Sequence, residues 1–473
     1  MTRRQKPRQP YPGEVLYPLD GNPEKATVAN RKGLKLTIYA WRVQQPKAAV
    51  LFIHGVQTHA RFEFLRHLSP DEPDLVMPAV TAGSTGAAST VATTPQIPAG
   101  GIAKESEGSK QGGKQYLRWC IYEGSWIQQL NNAGCSVYAG DLESFGLSEG
   151  WKGRRCSVER LDDLGYDVVT FAEFVSGDLT KQSQSSSNHN DNHILPPICL
   201  VGISMGGFSV IRALELMGER KHWLLLPPGV PAGGASGGAA DQVKTKMAAD
   251  VTAPEGSTRP GAAPGGAPEG AAADGVAADG IATDGAAANG TVAPHPTADG
   301  VSCNGCVSSE SPRIVACVAL APMLAIEKAS SGSFNKAIAK VSGVLSKVTP
   351  HIGAVKVPPA RLRWVDVQKD EDPLVTCPLK IPCRMAAEVM AAVPRVHAEA
   401  KSIPSHLRLK IIHAREDSIV EPQGSIRFIN ESATHITERQ LQILEGHRGH
   451  YLVIEPGNEE VLNAIKEWFK IYE

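Results

Sequence analysis

The stretch "ICLVGISMGGFSV", residues 198–210, admits few folds. An apolar run of strand length passes through Gly202-Ile203-Ser204-Met205-Gly206 straight into "GGFSVIRALELMGER", whose apolar spacing is helical. A strand that reverses into a helix around a single serine crowds the backbone there. Side chains two residues before and after Ser204 would strike neighbouring main chain, which is why glycine suits both places. Such a turn lifts the serine Oγ to the carboxyl end of a sheet, where open α/β folds place ligands. The helix N-terminus beneath it favours developing negative charge. Ser204 is therefore a candidate nucleophile in a G-x-S-x-G turn. The same glycines would also serve if they did no more than let a strand meet a helix closely.

The flanking sequence repeats the alternation. "LKLTIYAW" and "AAVLFIHG" read as strands, "EGSWIQQLNNAG" as a helix closed by Gly134, and "CSVYAGDL" as the next strand. "VERLDDLGYDVVTFAEFV" is helical. "RIVACVALAPML", "HLRLKIIHA" and "RQLQILEG" are further strands. The terminal "NEEVLNAIKEWFKIY" puts Val461, Leu462, Ile465, Trp468 and Phe469 on one helical face. Strands alternating with helices predict an α/β fold with a mostly parallel sheet covered on both faces.

Three low-complexity segments interrupt this pattern, at about 69–114, 178–196 and 228–311. The last carries an imperfect Ala-Ala-Asp-Gly reiteration with no aromatics and too few large apolar residues to offset ordering entropy. All three are expected to be disordered insertions in a domain spanning 27–473, preceded by an extension over 1–26. Lys+Arg number 48 against Asp+Glu 49, which gives no electrostatic case for nucleic acid as a partner. The basic N-terminus lacks the apolar segment of a secretory signal, and no run is long enough to span a bilayer. A soluble cytoplasmic protein is expected. Nine scattered cysteines read as reduced thiols. The "CNGC" of Cys303 and Cys306 has no second pair at zinc spacing, so no metal is expected.

A nucleophilic serine needs a base, a carboxylate to orient it, and donors for the oxyanion. Downstream, "LRLKIIHAREDSIV" puts Asp417 just after a strand, with Glu416 as the competing carboxylate. "LQILEGHRGHYLVIEPGNEEV" puts His450 between the last strand and the last helix, with His447 as the competing base. The order Ser, Asp, His favours Ser204, Asp417 and His450. "LFIHGVQTH" ends an early strand at His54-Gly55, so the N–H groups of Val56 and Met205 are the candidate oxyanion donors. On this segment alone, Gly55 could merely end a strand and His54 could be a core residue.

These blocks, with "YEGSWIQQLNNAGCSVYAGDLESFGLSEGW" and "EDPLVTCPLKIPCRMAAEV", resemble the monoglyceride lipase and lysophospholipase branch of the α/β-hydrolases. That branch is also grouped as serine aminopeptidase S33-like (Hydrolase_4), and its lysophospholipase-like members in protozoan parasites are the most similar. The resemblance implies Ser204, Asp417 and His450 as the triad and Val56 with Met205 as oxyanion donors. It also implies a cap over the pocket at about 323–405. Two departures adjoin the pocket: Gln57 stands where a second glycine is usual, and Ser144-Phe145-Gly146 where "GHG" is usual.

The expected function is hydrolysis of carboxylic esters of single-chain lipids, lysophospholipid or monoacylglycerol, without a cofactor. Thioesterase and aminopeptidase chemistry use the same triad, and a catalytically silent binding protein is the alternative of another class. Within the cap, "FNKAIAKVSGVLSKV" aligns Phe334, Ile338, Val341, Leu345 and Val348 in a stripe. This stripe suits peripheral contact with a lipid surface, or packing on the core.

Overall fold

Eight strands form one sheet in the order β1-β2-β6-β3-β7-β8-β11-β12. They are β1 (Glu24–Ala29), β2 (Lys35–Trp41), β3 (Ala48–Ile53), β6 (Cys135–Asp141), β7 (Ile198–Ile203), β8 (Ile314–Leu320), β11 (Arg408–Ala414) and β12 (Arg439–Leu444). Only β2 runs against the rest, pairing antiparallel with β1 and β6, while every other pair is parallel. This is a computed structural model, which describes residues 17–73, 75–76, 116–186, 195–226, 312–325, 349–377, 380–446 and 448–471. All of these belong to one compact unit, and residues 233–307 lie outside the described residues.

The apolar runs become central strands because both faces of the sheet are buried. Along β3, Ala49, Leu51 and Ile53 enter one apolar cluster and Ala48, Val50 and Phe52 the other. The two-residue side-chain period thus feeds two cores from one strand. Helices α3 (Asp162–Ser186) and α4 (Met205–Glu219) cover the first face, with Val168, Phe171, Phe208 and Leu214 in its core. Helices α1 (Ala60–Phe64), α2 (Trp126–Asn132) and α8 (Asn458–Phe469) supply Phe62, Phe64, Trp126 and Ile465 to the second. The expected stripe of α8 is buried at Val461, Leu462, Ile465 and Phe469, with Trp468 packed against the same cluster. Helix α2 starts on a Ser125 cap, whose hydroxyl accepts the Gln128 N–H at 3.2 Å, and Gly134 follows its end at φ 82°. The expected α/β class, with a mostly parallel sheet and helices on both faces, is the observed one.

The boundaries differ in three places. Helix α3 continues through Ser186, so the Ser/Asn tract from 178 begins as helix and not as an insertion. Its contacts explain why: Asp178 pairs with Arg42 and accepts the Tyr138 hydroxyl at 2.7 Å, and Leu179 is buried. The chain also joins the body before residue 27. Tyr17 is buried and β1 begins at Glu24. Finally, much of the span expected as a cap is built into the body. Leu324 and the inner face of α6 (Cys383–Glu399), with Met385, Val393 and Val396, lie in the first core. Asp372, which follows α5 (Arg363–Glu371), is fully enclosed. Its carboxylate accepts the Tyr17 hydroxyl at 2.9 Å and the Trp119 indole N–H at 2.7 Å, and His59 Nε2 lies 3.2 Å away. His59, Cys120 and Asp372 sit close enough to hold an ion, yet these donors already occupy the carboxylate, so the group reads as a structural knot. A short ribbon, β9 (Gly353–Lys356) with β10 (Lys380–Pro382), completes this part.

The segments 77–115, 187–194 and 227–311, with Cys303, Cys306 and the 334–348 stripe, lie outside the described residues. At the last insertion the flanks meet, since Arg313 Nη1 donates to the Leu226 carbonyl at 3.1 Å.

Candidate active site

Ser204 occupies the junction between β7 and α4 at φ 56° and ψ −116°, a conformation that L side chains rarely adopt. Crowding enforces it. A Cβ on Gly202 would collide with the carbonyl oxygen of Gly206, and one on Gly206 with the carbonyls of Ile53 and His54. The two glycines are thus required by close backbone approach, as the sequence pattern suggested. The Ser204 N–H donates to the Leu320 carbonyl of β8 at 2.8 Å, which fixes the turn to the sheet edge. The serine is 6% exposed.

Asp417 follows β11 and is 2% exposed. Its Oδ1 accepts the N–H groups of Ile419 at 2.8 Å and Val420 at 2.9 Å. Its Oδ2 lies 2.6 Å from His450 Nδ1 and 3.2 Å from His413 Nε2. Burial pushes this carboxyl up, but the neighbouring His450 and His413 and the backbone N–H donors outweigh it and hold Asp417 well below the usual carboxylate range. With Nδ1 directed at the carboxylate, His450 keeps its proton there and leaves Nε2 free. The carboxylate at His450 Nδ1 is that of Asp417, and His447, the competing base, lies outside the described residues. His450 is 7% exposed and lines one narrow pocket together with Ser204, Gly55, Val56 and Tyr451. Ile203, Val357 and Ile419 add apolar wall to the same pocket.

Met205 is the first residue of α4, so its N–H has no intrahelical acceptor. Val56 follows β3 in the same pocket, and a Cβ on Gly55 would stand 3.3 Å from the Ser204 Cβ. His54 is different. It is fully buried; its Nε2 accepts the Leu142 N–H at 3.0 Å and its Nδ1 donates to the Gly55 carbonyl at 2.7 Å. Burial pushes its pKa down to about 4, so it is a neutral brace between loops. Of the two departures noted beside the pocket, Gln57 lines it, and Phe145 is buried with its ring against His54 at 5.4 Å between centroids.

Two residues at the site escaped the sequence reading. His413 is a fully buried strand residue whose Nδ1 accepts from the Ser425 hydroxyl at 2.8 Å; its Nε2–H donates to the Val420 carbonyl at 3.2 Å and stands 3.2 Å from Asp417 Oδ2. Its only signal is a position four residues before Asp417. Glu63 of α1 is 3% exposed and lines the serine pocket. Nothing in "ARFEF" distinguishes it from a surface helix residue.

The profile of the family described as "Hydrolase_4: Serine aminopeptidase, S33" matches residues 121–232 and 302–457, more than half of the chain. Among solved structures, the Paleococcus ferrophilus monoacylglycerol lipase is 17% identical, with a TM-score of 0.45, over 91% of this chain and 97% of its own. A soluble variant of the Saccharomyces cerevisiae monoglyceride lipase is 14% identical, with a TM-score of 0.47, over 98% of this chain and 99% of its own. A carboxyl esterase from Bacillus coagulans is 11% identical, with a TM-score of 0.47, over 95% and 99%. No curated protein matches the sequence.

Proposed function

The chain belongs to the serine aminopeptidase S33 family, with its α/β-hydrolase fold, and from that membership we propose that it is a serine hydrolase of carboxylic esters. The observation that carries the proposal is the Asp417–His450 contact of 2.6 Å in the pocket that also holds the strained Ser204. In this reading His450 Nε2 takes the Ser204 proton as Oγ attacks the ester carbonyl. The proton on Nδ1 stays there, donated to Asp417, which stabilises the imidazolium without accepting its proton. The N–H groups of Val56 and Met205 receive the oxyanion, and the field at the start of α4 adds to them. The imidazolium then protonates the leaving alcohol, and water activated by the same histidine releases the acid from the acyl-enzyme.

The substrates we propose are single-chain lipids, lysophospholipid or monoacylglycerol. Apolar wall at Ile203, Val357 and Ile419 beside polar groups supports an ester with one apolar arm and a polar head. Contact with a lipid surface through the 334–348 stripe belongs to the same proposal. No helix among the described residues is long and apolar enough to cross a membrane. Equal sedimentation of wild type and Leu345→Asp with liposomes would remove that part.

The direct test is a fluorophosphonate probe. Wild-type protein is expected to label and Ser204→Ala to stay blank; folded wild type that fails to label would sink the proposal. p-Nitrophenyl esters of increasing chain length, then lysophosphatidylcholine against monoolein, order the substrates.

A further inference from the structure

Glu63 is an acid inside a pocket whose proposed chemistry has no assigned place for it. Its carboxylate lies beside the backbone of Gly55, the residue just before the proposed donor Val56, and the Gly55 N–H is one of the groups that favour its ionised form. Gly55 has little freedom elsewhere. It packs against Ser204 and lies near Glu63, since an added Cβ would meet the serine Cβ at 3.3 Å and Glu63 Oε2 at 3.7 Å. The loop from His54 to His59 leaves β3, turns past the serine and enters α1, and Glu63 reaches back from that helix to the loop's own beginning.

Helix α1 is short, so its rigidity comes from outside. The Ala60 N–H donates to Asp141 Oδ1 at 2.9 Å, which ties the helix start to the end of β6. His59 caps it while lying 3.2 Å from buried Asp372. Phe64 stacks on Phe52 of β3 at 4.4 Å between ring centroids. A carboxylate carried on this anchored turn holds Gly55 from a fixed point. A buried N–H left without an acceptor is costly enough to redirect a loop whose neighbouring N–H must aim at one spot.

Resting on the proposed serine chemistry, we infer that Glu63 is a positioning residue for the oxyanion loop, holding the Gly55 N–H so that the Val56 N–H faces the reacting carbonyl oxygen. Burial raises the Glu63 carboxyl, while Lys369, His450 and the Gly55 N–H draw it back towards the ionised form. Acceptor geometry is the essential property, which an amide oxygen also supplies.

The experiment compares Glu63→Gln, Glu63→Asp and Glu63→Leu with wild type in p-nitrophenyl butyrate hydrolysis, fluorophosphonate labelling rate and melting temperature. Glu63→Gln is expected to stay within about threefold of wild type. Glu63→Leu, close in volume but with no acceptor, should lower kcat and the labelling rate by about 10²–10³, the loss typical of one missing oxyanion donor, with KM within about twofold. Glu63→Asp, one methylene short, should fall between them, which keeps the comparison decisive if the leucine variant does not fold. Equal losses in Gln and Asp variants, a change carried by KM, or a folded leucine variant as fast as wild type would overturn the inference. A wild type that never labels would instead overturn the serine chemistry itself.

Discussion

Asp417 accepts two backbone N–H groups and the His450 Nδ1–H, and His413 Nε2 stands 3.2 Å from the same oxygen as His450, so N–H groups surround the carboxylate. An amide there would turn an NH2 group towards N–H donors. Asp417→Asn is expected to cut kcat by about 10⁴ through the wrong histidine tautomer, which steady-state esterase assays would show. His54 supplies a prediction about stability. Its folded pKa of about 4 lies below the ordinary 6.5, so the unfolded chain binds more protons between those values. The stability it contributes is complete above about pH 6.5 and is lost as pH falls towards 4, up to roughly 3 kcal/mol. The gap in unfolding free energy between wild type and His54→Asn should therefore narrow from pH 7 to pH 4.5; a constant gap would show that His54 does not titrate. Legibility at this scale followed chain order. Ser204, Asp417 and His450 are candidates by what precedes and follows them in the chain. His413 and Glu63 are defined by contacts across the fold, with Ser425 and with Gly55, which no local pattern encodes.

Elements were legible where hydrophobic period and punctuation agreed. The central strands carry continuous apolar runs because helices cover both faces, and α4 and α8 carry unbroken stripes. What stayed hidden was short or polar: α1 has only five residues, and the end of α3 is a Ser/Gln/Thr sequence held in the helix by Asp178 and Leu179. Two glycines give opposite predictions. Gly206→Ala would press a methyl into the Ile53 carbonyl and should destabilise by at least about 1–3 kcal/mol, with the elbow distorted and activity lost. Gly177 of α3 is exposed with nothing within 4 Å of an added Cβ, so Gly177→Ala should stabilise by about 0.5–1 kcal/mol. Urea titration of both variants measures the contrast.

For the whole molecule, the family profile breaks at residue 232 and resumes at 302, close to the limits that composition set for the longest insertion. The sheet does not register the interruption. β7 and β8 pair in parallel on either side of it, and the Arg313–Leu226 hydrogen bond fastens the two flanks. Replacing residues 230–308 with a short Gly-Ser linker should leave the esterase rate within about twofold and the melting temperature no lower, because closing a shorter loop costs less entropy. A marked drop on heating would show that the excised tract supports the body. The clasp between Arg313 and Leu226 has an engineering corollary: it marks a seam where foreign cargo can be spliced. A fluorescent reporter seated there would enter and leave through one doorway, so the hydrolase need not unlatch to carry a passenger.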